Sequence, residues 1–194
     1  MTAPSGIFIA ALAGIMIFAA GCNSIPDNPP EFYENQNAEL AKITSFGASG
    51  KIAIIEKQNR LSSYVNVSVK DDRYLLELTS LTGSTVFRLE NSPGEARITD
   101  SEGKQYSGSS ADDLARQLTG LSIPARRLPD IIRAIPGDLP FVRNADSTIS
   151  EITHPEFTVI YERYTNTGKF ILPEFITLKG KDLLIKIRIN KWEI

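Results

Sequence analysis

SYVNVSVKDDRYLLELT, residues 63–79, is the stretch on which the fold turns. Val65, Val67 and Val69 alternate with Asn66, Ser68 and Lys70, a period of two that puts the valines on one face of a strand and the polar side chains on the other. Asp71-Asp72 breaks the run, and Arg73 to Thr79 resumes it. Two strands joined by a tight turn, dry on one face and wet on the other, predict an antiparallel hairpin with one side packed on a core.

The pattern repeats outward in both directions. Lys51 to Glu56, Ser84 to Glu90, Glu95 to Asp100 and Lys104 to Ser107 are further strand candidates, separated by Gly83, Pro93-Gly94 and Glu102-Gly103. It returns at Ser147 to Thr153, Phe157 to Tyr164, Glu174 to Lys179 and Leu183 to Asn190, with Gly168 and Gly180 in the connections. One helix precedes it and two interrupt it. Phe32 to Ile43 is weakly amphipathic, with apolar positions at Phe32, Tyr33, Leu40 and Ile43. Ser110 to Leu118 opens on an N-cap serine with Asp112 and Asp113 at the positive end of the dipole, and stops at Gly120. Pro124 to Ala134 gathers Leu128, Ile131 and Ile132 on one face and ends at Pro136-Gly137. The expected class is mainly β, an incomplete antiparallel β-barrel of about ten or eleven strands, because a flat open sheet of that size is unusual. A filled barrel and a half-barrel under a helical lid both satisfy the pattern, and only the second holds an apolar cavity.

The amino terminus is of another kind. Ile7 to Ala20 is an apolar run of 14 residues, the length of a signal-peptide core and short of a bilayer span. Ala19-Ala20-Gly21-Cys22 closes it and resembles the bacterial lipobox, in which the cysteine receives a diacylglyceryl group and becomes the new amino terminus. An ordinary signal peptide, or a buried helix with an incidental cysteine, is the other reading. Asn23 and Ser24 follow instead of aspartate, which favours an outer-membrane destination. Asn23 to Glu31, with three prolines, reads as an extended tether. The chain thus divides into a signal peptide over 1–21, a lipidated N-terminus, tether and first helix over 22–45, and one half-barrel domain over 46–194.

Composition removes several classes of function. A formal net charge of −2 with scattered basic residues leaves no footprint for nucleic acid. One cysteine and one histidine allow no internal disulfide and no zinc or imidazole cluster. A Ser-His nucleophile would rest wholly on His154, which stands in the turn-like Thr153-His154-Pro155 and reads as a loop histidine. Asp112-Asp113 reads as a helix start and not as a catalytic carboxylate pair. No GxxxxGK[ST] phosphate loop is present.

Several stretches, taken in order, carry a family resemblance: Gly50-Lys51-Ile52-Ala53, Tyr74-Leu75-Leu76-Glu77-Leu78-Thr79, Gly83-Ser84-Thr85, Asp100 to Tyr106, Leu118-Thr119-Gly120 with Ile123-Pro124, Pro136-Gly137-Asp138, Leu172-Pro173, and Ile185-Lys186-Ile187 with Trp192. Together they are similar to the LolB family of outer-membrane lipoprotein receptors, whose fold resembles that of the periplasmic chaperone LolA. The resemblance implies a half-barrel whose hollow takes the acyl chains of another lipoprotein from a LolA-like chaperone and releases them into the outer membrane. It implies a monomer, lipid-anchored through Cys22 on the periplasmic face, that needs no cofactor or metal and breaks no bond. A hollow is needed on physical grounds, since exposing three acyl chains to water would cost on the order of 30 kcal/mol at ~0.8 kcal/mol per methylene. A structural or assembly-factor lipoprotein of an envelope complex, with a solid core and no cargo, is the alternative.

The dry-face positions Ile52, Ile54, Val65, Val67, Leu76, Leu78, Phe87, Leu89, Ile187 and Ile189 are the candidate cavity lining. Packing in a solid core is an equally open reading of each, because periodicity assigns a face and shows no void. In the family the loop after the third strand presents a leucine needed for delivery into the membrane. Here the tip is Thr79-Ser80-Leu81-Thr82-Gly83, where Leu81 is the large apolar residue and Thr82 is the position that falls on the family leucine in an ungapped alignment on Gly83-Ser84-Thr85. Arg126, Arg127 and Arg133 form a basic cluster that could meet an acidic patch on the chaperone, a solvated helix face being the plainer reading. Trp192 reads as structural, packing across a barrel end.

Overall fold

In a computed structural model, residues 30–57, 59–119 and 124–194 are described. Alternation does most of the building. The strands are β1 (Ser45–Glu56), β2 (Asn59–Lys70), β3 (Arg73–Thr79), β4 (Thr85–Ser92), β5 (Glu95–Thr99), β6 (Gln105–Gly108), β7 (Phe141–Arg143), β8 (Ile149–Thr153), β9 (Phe157–Asn166), β10 (Ile171–Gly180) and β11 (Leu183–Glu193). They form one sheet of eleven strands in the order β6-β5-β4-β3-β2-β1-β11-β10-β9-β8-β7, every described neighbour pair antiparallel. Two meanders are therefore joined at the middle by the first strand pairing with the last. The order ends on β6 at one edge and β7 at the other, so the sheet is an open half-barrel.

Helices α1 (Pro30–Ala41), α2 (Ala111–Thr119) and α3 (Leu128–Ile132), with a 3-10 turn at Ala125–Arg127, accompany the sheet. Ala111, Leu114, Ala115, Ala125, Ile131 and Ile132 pack in the same core as the sheet's dry face. Ser110 starts α2, its hydroxyl accepting from the Asp113 backbone N–H at 3.4 Å. The single helix expected over Pro124 to Ala134 is split into the 3-10 turn and α3, with Pro129 in the first turn of α3 where its missing N–H does no harm.

Two differences from the sequence expectation have clear causes. Strand β1 starts at Ser45 instead of Lys51 because Ala48 and Gly50, which continue the buried face between Phe46 and Ile52, are too small to register as apolar alternation. Gly50 lies at a register shift where β1 passes β11, and a methyl group there would run into the Arg188 carbonyl. Strand β7 was not expected at all, since three residues are too few to show a period.

The end of the sheet at Phe46 and Trp192 is closed by α1. Leu40 packs on Phe170 and Leu172, with Trp192 beside them. β10 pairs β11 only from Phe175 to Lys179, and at Ile171 the side chain of Gln36 makes the bonds a strand would have made. Its amide donates to the Ile171 carbonyl at 3.0 Å and its oxygen accepts from the Ile171 N–H at 2.7 Å. Trp192 donates to the Pro173 carbonyl at 3.1 Å.

Candidate functional site

The strand register places the candidate lining residues in rows. Val67, Leu76 and Leu89 lie side by side across β2, β3 and β4, continuing to Ile98 on β5. Ile54 neighbours Ile185, Leu178, Val159 and Ile152 on successive strands, and Ile52 neighbours Ile187, Ile176 and Tyr161. Val65, Leu78 and Phe87 form a further row. Ile52, Val65, Val67, Leu78, Leu89, Ile187 and Ile189 are buried, while Ile54, Leu76 and Phe87 are half-buried against the same cluster. All ten candidates are thus brought together on one apolar wall, and the lid residues rest on that wall.

Among the described residues, two tyrosines tie the lid to the sheet. Tyr74 on β3 donates its hydroxyl to the Ala125 carbonyl at 2.6 Å, and Tyr161 on β9 donates to the Ile131 carbonyl at 2.7 Å. Burial, with Asp112 nearby, raises the Tyr74 phenol well above its ordinary pKa, and burial, then Tyr164, does the same for Tyr161. Both hydroxyls are neutral donors at neutral pH.

Arg133 corrects the expectation of a surface basic cluster. Its side chain is only 7% exposed, donating to the Leu40 carbonyl at 2.8 Å, the Ile43 carbonyl at 3.2 Å and Asp130 at 3.1 Å, and it stacks over Phe46 at 4.4 Å. Burial lowers its pKa, and Asp130 opposes that shift. Helix α1 has no basic residue in its last turn, so Arg133 supplies the cation that the carbonyl end of the helix favours. A guanidinium committed in this way is withdrawn from any partner. Arg126 remains exposed but pairs with Asp112 at 3.0 Å, and half-buried Arg127 donates to the Pro136 carbonyl at 2.8 Å.

The β3–β4 loop is a tight, self-bonded turn. The Gly83 N–H donates to the Ser80 carbonyl at 3.0 Å, the Ser84 N–H donates to the Ser80 hydroxyl at 3.1 Å, and Gly83 takes φ +90°, a conformation that costs glycine little. This holds Leu81 73% exposed, more than any other large apolar residue described. Thr82, beside it, is also exposed and shares a 2.9 Å hydrogen bond with the Ser80 hydroxyl. Leu81 borders a depression of about 410 Å³ with Ala53, Phe175 and the stems of Lys51, Lys186 and Arg188.

Sequence reasoning missed other features of this rim. Strand ends place Leu61, Leu81, Phe141 and Val142 at one end of the half-barrel, each exposed, with Phe141 opposite Ile152 on β8. It also passed over Ser63, which continues the Val65, Val67, Val69 alternation onto the dry face and is 3% exposed; that alternation was the signal available. His154 accepts from the Glu156 N–H at 3.2 Å and stacks on Phe157 at 4.3 Å, which makes it a turn residue. Cys22, the signal peptide and the tether as far as Pro29 lie outside the described residues, while Pro30 and Glu31, expected to be extended tether, open α1 because a proline suits the first turn of a helix.

Residues 44–192 match the family model described as outer membrane lipoprotein LolB. The chain is 32% identical over 182 residues to a protein of Aeromonas salmonicida named outer-membrane lipoprotein LolB, covering 93% of this chain and 94% of the relative. A protein of the same name from Tolumonas auensis is 29% identical over 180 residues, covering 92% and 93%. Among solved structures, a LolA superfamily protein from Nitrosomonas europaea superposes with a TM-score of 0.55 at 10% identity, covering 84% of this chain and 92% of that one. At that identity the likeness is one of fold.

Proposed function

Because the chain belongs to the outer membrane lipoprotein LolB family, we propose that it acts at the outer membrane, accepting lipoproteins from a LolA-like periplasmic chaperone and passing them into that membrane. The observation that carries this reading is the continuous apolar wall of the half-barrel beneath a lid that packs on it through apolar side chains and is tied to it by Tyr74 and Tyr161. Acyl chains take the place of the lid's apolar side chains on that wall, so water meets neither wall nor chains at any stage. The lid residues compete with the chains for the same surface, which weakens the hold on cargo. A hold weaker than that of a bilayer lets transfer run without nucleotide. The step is non-covalent, and the chain works as a monomer anchored through Cys22.

Leu81 is the membrane-contact residue. Burying one leucine contributes about 1.5–3 kcal/mol, too little to anchor a protein and enough to bias contact between rim and lipid. Thr82 adds no comparable apolar surface. Arg126, the more exposed of the two remaining surface arginines, exchanges its Asp112 partner for an acidic group on the chaperone.

The test follows label. Chaperone loaded with a labelled lipoprotein is mixed with the mature chain, and the carriers are separated. Label moves to this chain if it is the receptor; label that stays on the chaperone, with the chain folded, favours the structural-lipoprotein alternative. In the same assay Leu81→Glu takes up label normally and fails to release it into vesicles. Normal release by that variant would remove Leu81 from the mechanism.

A further inference from the structure

Among the described residues, one buried side-chain polar atom has no hydrogen-bond partner, the hydroxyl of Ser63. A hydroxyl buried without a partner is destabilising, and buried polar groups in native proteins are ordinarily paired. The serine occupies the dry face of β2 in the series Leu61, Ser63, Val65, Val67, Val69, and lies opposite Ile52 on β1. Leu61, two residues toward the open rim, is 37% exposed, whereas Val65, two residues inward, is 3% exposed. Ser63 therefore stands just inside the mouth, about 7 Å along the strand from the rim residue, where an apolar wall has no structural use for a hydroxyl.

We propose that Ser63 is a binding residue for the acyl carbonyl of lipoprotein cargo, its hydroxyl donating to a carbonyl oxygen at the head of a chain lying along the wall. This rests on the acyl-receptor reading above. A lipoprotein amino terminus carries hydrocarbon chains that begin at ester or amide carbonyls, followed immediately by a peptide that stays in water. With chains inside and peptide outside, those carbonyls lie at the mouth, at the depth of Ser63. They accept hydrogen bonds and have none to donate, which matches the one unpaired buried side-chain donor among the described residues, the wall's tyrosine hydroxyls being bonded to lid carbonyls. The empty protein keeps the hydroxyl unpaired and the loaded protein pairs it, so the residue favours the loaded state without adding a charge that would resist release.

The experiment uses the mature chain with Cys22→Ser, which stays in solution, and measures partition of lipopeptides from a LolA-like chaperone. The first probe is a diacylglyceryl-cysteine peptide with an amide-linked third chain. The second replaces both esters by ethers, and the third keeps the esters with a free amine. Ser63→Ala should lower partition of the first probe by about three- to ten-fold, the worth of one hydrogen bond, while its melting temperature is unchanged or higher. Ser63→Thr, which keeps the hydroxyl, should retain partition. If an ester is the acceptor, Ser63→Ala makes no difference to the ether probe; if the amide is, it makes none to the free-amine probe. Equal partition by the parent and Ser63→Ala on all three probes overturns the assignment while leaving the receptor reading intact. Failure of the parent to take up any probe overturns both.

Discussion

Arg133 and Tyr161 show how far a residue's role departs from its type. An arginine in a run of basic residues suggests a surface, yet Arg133 is buried because α1 offers carbonyl oxygens it can satisfy. Arg133→Met keeps the apolar stem and removes the donors; it should cost about 1–3 kcal/mol by leaving the Leu40 and Ile43 carbonyls without their donor, read as a lower urea midpoint. Tyr161→Phe should cost about 1–3 kcal/mol through the orphaned Ile131 carbonyl. The tyrosine pair also sets a response to base. Their folded phenols titrate above the ordinary value of 10.0, so their stabilising share is fully present below pH 10.0 and is lost as pH rises beyond it, where the unfolded chain ionises first. Urea midpoints taken from about pH 8 to pH 11 should fall at the upper end, and fall less in the Tyr74→Phe, Tyr161→Phe double variant.

At the scale of elements, what was legible is what has a period. The hairpin over residues 63–79 is found as read, since three valines alternating with three polar residues leave its register no freedom. The ten wall positions could be assigned to one face for the same reason. Strand β7 and the outward start of β1 were hidden, the first by its length and the second by alanine and glycine at buried positions. The docking of α1 was hidden as well, because the contact that fixes it joins Gln36 to backbone 135 residues away. Gln36→Ala should therefore speed hydrogen exchange at the Ile171 amide while leaving the centre of β1 protected. A change confined to α1 would show that apolar packing at Leu40 alone seats the helix.

Over the whole molecule, wall and lid are two parts of one core, and on the function proposed above loading exchanges one for the other. The fold class could be read because the strands repeat; whether its dry face is hollow or packed could not, since the same alternation serves both. If cargo displaces the lid, loading should speed amide exchange over 125–135 and leave β1 and β11 unchanged. Protection that rises across the lid on loading would instead mean that chains lie elsewhere. The pairing of Gly47 with Glu193 has a different consequence, for the time course of folding. The central ladder joins the two ends of the domain, so its contacts are the most distant in sequence and closing them carries a large loop entropy. Neither meander can be fastened to the other until the last strand has arrived. A chain leaving a translocation pore amino end first would then spend its passage with β1 unpaired on one side, an interval in which holdases and proteases compete with folding for the same exposed strand.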